Sequence, residues 1–196
     1  MTDEEKKVLD TILSLCQREG ISPFQIDYKV HNEIKVSNVK GVITTDIKEN
    51  VVSVRYRGMY EERLGTFEDD KLDENRVDEI IKSIKQSALN SDRLCRPEFF
   101  GEPGQRYKSS GFKLSNVKMD NLKILNSKIV QSLKGMNSLF NDDAINEIST
   151  TLITGRRMMV NSKGLKVEKK FDRIVMKADC TFTKPDGEKS SATETY

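Results

Sequence analysis

The chain has 196 residues, 36% of them hydrophobic and 33% charged, which is polar for a globular protein but too regularly patterned for a disordered one. That length suffices for one large domain or two small ones. The 33 basic and 31 acidic side chains are well mixed and leave a formal charge of +2, so nothing general argues for nucleic acid or an anionic membrane as partner.

From the amino terminus, Thr2-Asp3-Glu4-Glu5 has the form of a capping box, with a hydroxyl at the cap and Glu three residues on. Val8, Leu9, Ile12, Leu13 and Cys16 follow at helical spacing, and Gly20 suits the position just past a helix end. A helix over residues 3–19 is predicted. Ser22-Pro23 breaks it, and Phe24, Ile26, Tyr28 and Val30 then alternate with polar residues as one face of a strand. His31 to Val36 continues that strand or turns. Val39 to Asp46 forms a second β-branched run, and Val51 to Tyr56 a third that leads through Gly58 into Met59–Phe67. These are expected to be antiparallel strands joined by tight turns.

Asp69 to Asp73 closes the strands and opens a helix with Val77, Ile80, Ile81, Ile84 and Ala88 on one stripe. Residues 91–112 hold two of the four prolines, with Phe99, Phe100 and Tyr107, and read as a long loop partly packed by its aromatics. A further helix is predicted from Met119 to Leu133, with Leu122, Leu125, Ile129 and Leu133 inward, Gly135 at its end, and Asn141-Asp142-Asp143 returning the chain to sheet. The carboxyl third is organised by two reversals. Asn161-Ser162-Lys163-Gly164 separates two strand-like runs, and Lys184-Pro185-Asp186-Gly187 makes a second turn. The expected fold class is α/β, α+β in detail: a mixed, largely antiparallel sheet with about three packing helices.

Few residues suggest chemistry. His31 is the only histidine, so the chain cannot carry a metallopeptidase site built on two imidazoles one helical turn apart; on a strand edge it reads as a surface or capping residue. Cys16, Cys95 and Cys180 lie far apart without CxxC spacing, which fits reduced thiols better than a disulfide framework or a zinc knuckle. Cys16 belongs on the apolar face of a helix and Cys180 in a strand, while Cys95 lies between Arg93 and Arg96 with no nearby base. Asp69–Asp73 and Asn141–Asp143 lack the form of a calcium loop and read as caps. Arg55-Tyr56-Arg57-Gly58-Met59-Tyr60 interleaves base and aromatic, but Glu61 and Glu62 follow, and cross-strand pairing accounts for the pattern without a ligand. No Gly-rich phosphate loop is present. No apolar run approaches the roughly 20 residues that span a bilayer, and the polar, acidic amino terminus is unlike a signal peptide; the expected compartment is the cytoplasm.

Two segments carry a family resemblance. One runs from Glu62-Arg63-Leu64-Gly65-Thr66-Phe67 through Leu72-Asp73 to Val77–Ala88; the other is Met158-Met159-Val160-Asn161-Ser162-Lys163-Gly164-Leu165, followed by paired strands and Asp186-Gly187. In order and spacing the chain resembles the amino-terminal domain of the TldD/PmbA family, described as zinc metallopeptidases and as modulators of DNA gyrase. The resemblance implies a single domain over 1–196, with a possible division into 1–112 and 113–196. Family members are about twice as long, and their HExxxH helix lies in the carboxyl half, so the metallopeptidase domain and its zinc are expected outside this chain. The resemblance implies a non-catalytic, substrate-admitting and dimer-forming amino-terminal domain of a zinc metallopeptidase that acts on unfolded peptides, with an unfolded or extended peptide and a family subunit, in a homo- or hetero-dimer, as its expected partners. No catalytic or metal residue carries over, and neither the TldD-type nor the PmbA-type (TldE) subunit is indicated. Backbone pairing with a peptide is placed on Val160, Asn161, Ser162, Gly164 and Leu165, or on the strand near Val54. The rival expectation is a stand-alone peptide- or protein-binding scaffold without a peptidase partner.

Overall fold

The computed structural model describes residues 2–92, 94, 96, 100–103, 117–135, 145–183 and 188–195. Helix α1 spans Asp3–Arg18, β1 Phe24–Val39, β2 Val42–Tyr60 and β3 Arg63–Asp69. A 3-10 turn at Glu74–Arg76 leads into α2, Val77–Leu89; α3 is Met119–Gly135, β4 Ile145–Asn161, β5 Lys166–Thr183 and β6 Lys189–Thr195. The strands form one six-stranded sheet in the order β3-β2-β1-β4-β5-β6. Compact packing divides the chain into two units that interleave along the sequence. The first holds Met1–Val30, Val51–Ser110 and Gly155–Phe171; the second holds His31–Asn50, Gly111–Thr154 and Asp172–Tyr196.

In the first unit, local chemistry sets both ends of α1. Glu5 N–H donates to Thr2 Oγ1 at 3.1 Å and Thr2 N–H to Glu5 Oε2 at 2.9 Å, which completes the capping box. Gly20 takes φ +79, Gly20 N–H donates to the Gln17 carbonyl and Ile21 N–H to that of Cys16; this is a Schellman end, which the missing Cβ of glycine permits. The apolar face of α1 buries Leu9, Ile12 and Cys16, and α2 buries Ile80, Ile84 and Ala88. Both helices pack on Phe24, Ile26, Tyr28, Val54, Tyr56, Met158 and Val160. Tyr56 stacks on Phe24 and on Phe67 at centroid distances of 6.4 and 6.0 Å, and Arg55 bonds Glu68 across the same hairpin at 2.6 Å. The interleaved Arg55–Tyr60 segment is thus cross-strand pairing, as expected.

Three strand expectations change. Val39–Asp46 and Val51–Tyr56 are not separate strands, because Val39 ends β1 and β2 runs unbroken from Val42 to Tyr60. Asn50, where the sequence pattern breaks, bends the strand without ending it: it adopts φ +53 and its N–H donates to Asn32 Oδ1 at 2.8 Å. Gly58 is not a turn residue. It lies within β2 opposite Gly65 of β3, and the reversal falls at Glu61-Glu62, with φ +48 and +59. Finally, β1 does not alternate in burial, since Gln25 and Asp27 are as hidden as Phe24, Ile26 and Tyr28.

The second unit has its own small core of Val36, Leu122 and Leu152, with Ile34, Val117 and Ile174 against it. Asn126 of α3, which the apolar stripe overlooked, is fully buried there. Its Nδ2 donates to the carbonyls of Val36 and Ile148 at 3.2 and 3.0 Å and approaches Thr150 Oγ1 at 3.3 Å, fastening the helix to two strands. Leu125, Ile129 and Leu133 are only half buried. The β5–β6 hairpin pairs Lys177 with Thr195 through Thr183 with Lys189. The turn expected at Lys184–Gly187, the Asn141–Asp143 cluster, Cys95, Phe99 and Tyr107 lie outside the described residues.

A candidate groove beside helix α1

In the first unit a groove of about 430 Å³ is lined by Glu4, Glu5, Val8, Tyr28, Val52, Asp70, Lys71, Leu72 and Asp73. Its wall of fixed charge is built from three distant segments. Glu5, already half of the capping box, accepts from the Tyr28 hydroxyl at 2.9 Å and from Arg156 Nη2 at 2.5 Å. Burial opposes ionisation of Glu5, but the bonds from Arg156, Thr2 and Tyr28 outweigh it and hold the carboxyl down at about 2. Burial, and then the bond to Glu5, pushes the Tyr28 phenol up to about 12, so the pair stays carboxylate and phenol throughout the neutral range. Alongside, Arg157 grips Asp27 with Nε on Oδ1 at 2.6 Å and Nη2 on Oδ2, a fork that locks β4 to β1.

The rim is different. Asp73 caps the 3-10 turn, accepting from Asn75 N–H at 2.9 Å. Glu4 and Asp70, both exposed, have no side-chain partner among the described residues. The groove thus combines apolar Val8, Val52 and Leu72 with the carboxylates of Glu4, Asp70 and Asp73 and the ammonium of Lys71. Among the described residues its lining holds no Ser, Thr, Cys or His.

The sequence-predicted site residues lie elsewhere and are engaged. Val54 is wholly buried, and Val160, Asn161 and Leu165 nearly so. Asn161 Oδ1 accepts from the Lys163 and Leu165 amides at 3.0 Å, and its Nδ2 donates to the Gly101 carbonyl at 2.6 Å. Ser162 N–H donates to the Phe24 carbonyl at 2.8 Å while Ser162 Oγ accepts from Phe24 N–H at 2.9 Å. Gly164, at φ +90, donates to the Asn161 carbonyl. These residues therefore build the turn after β4, and at Val54 and Val160 both β2 and β4 have a neighbouring strand on each side in the sheet order. The described part of the 91–112 loop reinforces the turn, with Phe100 buried and Glu102 on Lys163 at 3.1 Å.

His31 is neither at an edge nor exposed. It is buried in the interior strand β1, with Nε2 2.8 Å from Glu33 Oε1. A zinc site does not fit this donor set: the only imidazole of the chain lies on a strand, and no group of three His, Cys, Asp or Glu converges among the described residues. Cys16 is buried and its thiol is pushed by that burial up to about 12, a core residue as expected. Among the described residues no helix is long and apolar enough to cross a membrane.

Together these features define an α+β fold whose antiparallel sheet carries helices and a groove, with no metal-binding cluster among the described residues. No family model matches the chain, and no curated protein matches it. Solved structures do share the fold. One from Thermotoga maritima, described as a modulator of DNA gyrase, has a TM-score of 0.59 at 15% identity and covers 97% of this chain and 42% of its own. TldE from Thermococcus kodakarensis has a TM-score of 0.59 at 15% identity, covering 96% and 42%. A Bacteroides thetaiotaomicron protein, also described as a modulator of DNA gyrase, has 0.57 at 15%, covering 99% and 45%. The fold is TldD/PmbA-like, as the Gly65 and Asn161–Leu165 segments implied, and the chain spans under half the length of these structures.

Proposed function

We propose that the chain is a non-catalytic, substrate-admitting and dimer-forming domain of a TldD/PmbA-like zinc metallopeptidase acting on unfolded peptides. The observation that carries this reading is the coverage: nearly all of this chain corresponds to under half of each neighbour. The lone histidine supports a division of labour, because metal chemistry then belongs to another part of the assembly. The groove beside α1 is the surface for the peptide, held by apolar contacts with Val8, Val52 and Leu72 and drawn by Glu4 and Asp70.

The test combines the full chain with a fluorescent, lysine-containing unfolded peptide, followed by anisotropy. Binding is expected, weakened about tenfold or more by Glu4→Lys with Asp70→Lys, as like charge replaces attraction at the rim. Adding a subunit that carries HExxxH should give chelator-sensitive cleavage that the chain alone lacks. Absence of both binding and stimulated cleavage refutes the proposal. Binding without any peptidase partner that restores cleavage selects a stand-alone peptide-binding module instead.

A further inference from the structure

In the second unit, Val39, Val42, Ile43 and Ile47 are large apolar side chains left open to solvent on the β1–β2 hairpin, Val42 at 64% and Ile47 at 53%. Every residue from 41 to 50 is exposed. In the sheet order the outer neighbour of β2 is β3, but their pairing covers only Val54–Tyr60 of β2. Among the described residues the stretch Val42–Glu49 therefore has a strand on one side only, and a row of backbone donors and acceptors stands open on the other. Charged residues normally guard such an edge, and this one carries Asp46, Lys48 and Glu49.

Those charges also select a partner. When an edge pairs antiparallel with its own copy about a two-fold axis, one residue faces itself and its neighbours pair symmetrically around it. Centring on Asp46 or on Lys48 sets like charges against each other. Centring on Thr45 puts Asp46 opposite Thr44 and Lys48 opposite Val42. Centring on Ile47 packs Ile47 on Ile47, places each Asp46 opposite the other copy's Lys48, and sets Thr45 opposite Glu49. Asp46 and Lys48 form an exposed ion pair within one chain at 4.0 Å, a weak contact that exchanges for the same pairing across the axis. The φ of +53 at Asn50 ends the straight stretch just beyond Glu49.

We infer that the Val42–Glu49 edge of β2 is a self-association surface, which pairs antiparallel with a second copy of this chain in the register centred on Ile47. The inference rests on the dimer-forming part of the function proposed above and gives it a place. A short strand pair buries less than the roughly 1,200 Å² of a standard interface, so the contact is weak and reversible.

Sedimentation equilibrium of the full chain across about 1 μM to 1 mM tests it. The wild type should show a monomer–dimer equilibrium. Asp46→Lys and Lys48→Asp should each weaken it by about tenfold or more, because each sets two like-charge pairs across the axis. The double variant D46K/K48D should recover, and so should an equimolar mixture of the two single variants, which no folding defect can mimic. A monomeric wild type overturns this surface and the homodimer, leaving a hetero-dimer with another family subunit and peptide binding to their own tests. Dimers unaffected by the single variants overturn the surface but leave a dimer formed elsewhere. Association without a fixed stoichiometry, or an edge that takes up only an added extended peptide, also overturns it.

Discussion

Replacing Gly65 by alanine tests the packing that holds the first unit together. Gly65 lies in β3 opposite Gly58, and a Cβ built there overlaps the carbonyl oxygen of Ile84 and comes within 2.9 Å of Ile84 Cγ2 and 3.0 Å of its carbonyl carbon. The obstruction is chiefly helix backbone, which cannot rotate away, so α2 must lift from the strand. Overpacking costs about 1–3 kcal/mol, and a clash with backbone belongs at the top of that range. Alanine also restricts the unfolded chain, which returns about 0.4–1 kcal/mol, leaving a net loss of about 2–3 kcal/mol. For a chain of this size that lowers the melting temperature by about 4–12 °C. Near-UV circular dichroism follows it, since Tyr56, stacked between Phe24 and Phe67, reports this core and there is no tryptophan to obscure it. Gly58→Ala should cost less, because the atom it meets first is a methyl of the Ile21 side chain. A Gly65→Ala protein that melts within about 1 °C of the wild type, or later than Gly58→Ala, would refute the close approach of α2 to β3.

Two further outcomes follow from the same unit. Because the Glu5 carboxyl is held at about 2 against an ordinary 4.5, its contribution is fully present above pH 4.5 and is lost as pH falls toward 2. Discounted for its partial exposure, the contribution is on the order of 1–2 kcal/mol; urea titrations across that range should show a drop that Glu5→Gln flattens, and an unchanged profile in the variant would remove the Arg156–Glu5–Tyr28 account. Glu61 and Glu62 hold positive φ in a two-residue turn where Asn-Gly is the relaxed choice, so Glu61→Asn with Glu62→Gly should stabilise by about 1–2 kcal/mol, read by thermal melting; a loss of stability would mean the glutamates make compensating contacts.

What the sequence determined by itself was whatever depends on residues a few positions apart. The capping box at Thr2–Glu5, the αL glycine at 20, the stripe on α2 and the reversal at Asn161–Leu165 each follow from local hydrogen bonding and side-chain period, and each stands where expected. Where local and tertiary forces compete, the sequence misled. Lys48-Glu49-Asn50 looked like a gap between strands, but the partner strand β1 keeps β2 continuous through one left-handed residue. Gln25, Asp27 and Asn126 look like surface residues and are buried, and partners far along the chain pair with the Asp27 carboxylate and with Asn126 Nδ2. The candidate site belongs largely to this second class, although the capping roles of Glu5 and Asp73 are local. Glu5 meets Arg156 across 151 positions and Asp27 meets Arg157 across 130, and no local pattern encodes a contact at that range. Folding brings those charges together, and it also sets the strands carrying Val54 and Val160 between neighbouring strands of the sheet, a placement that rests on pairings between distant segments.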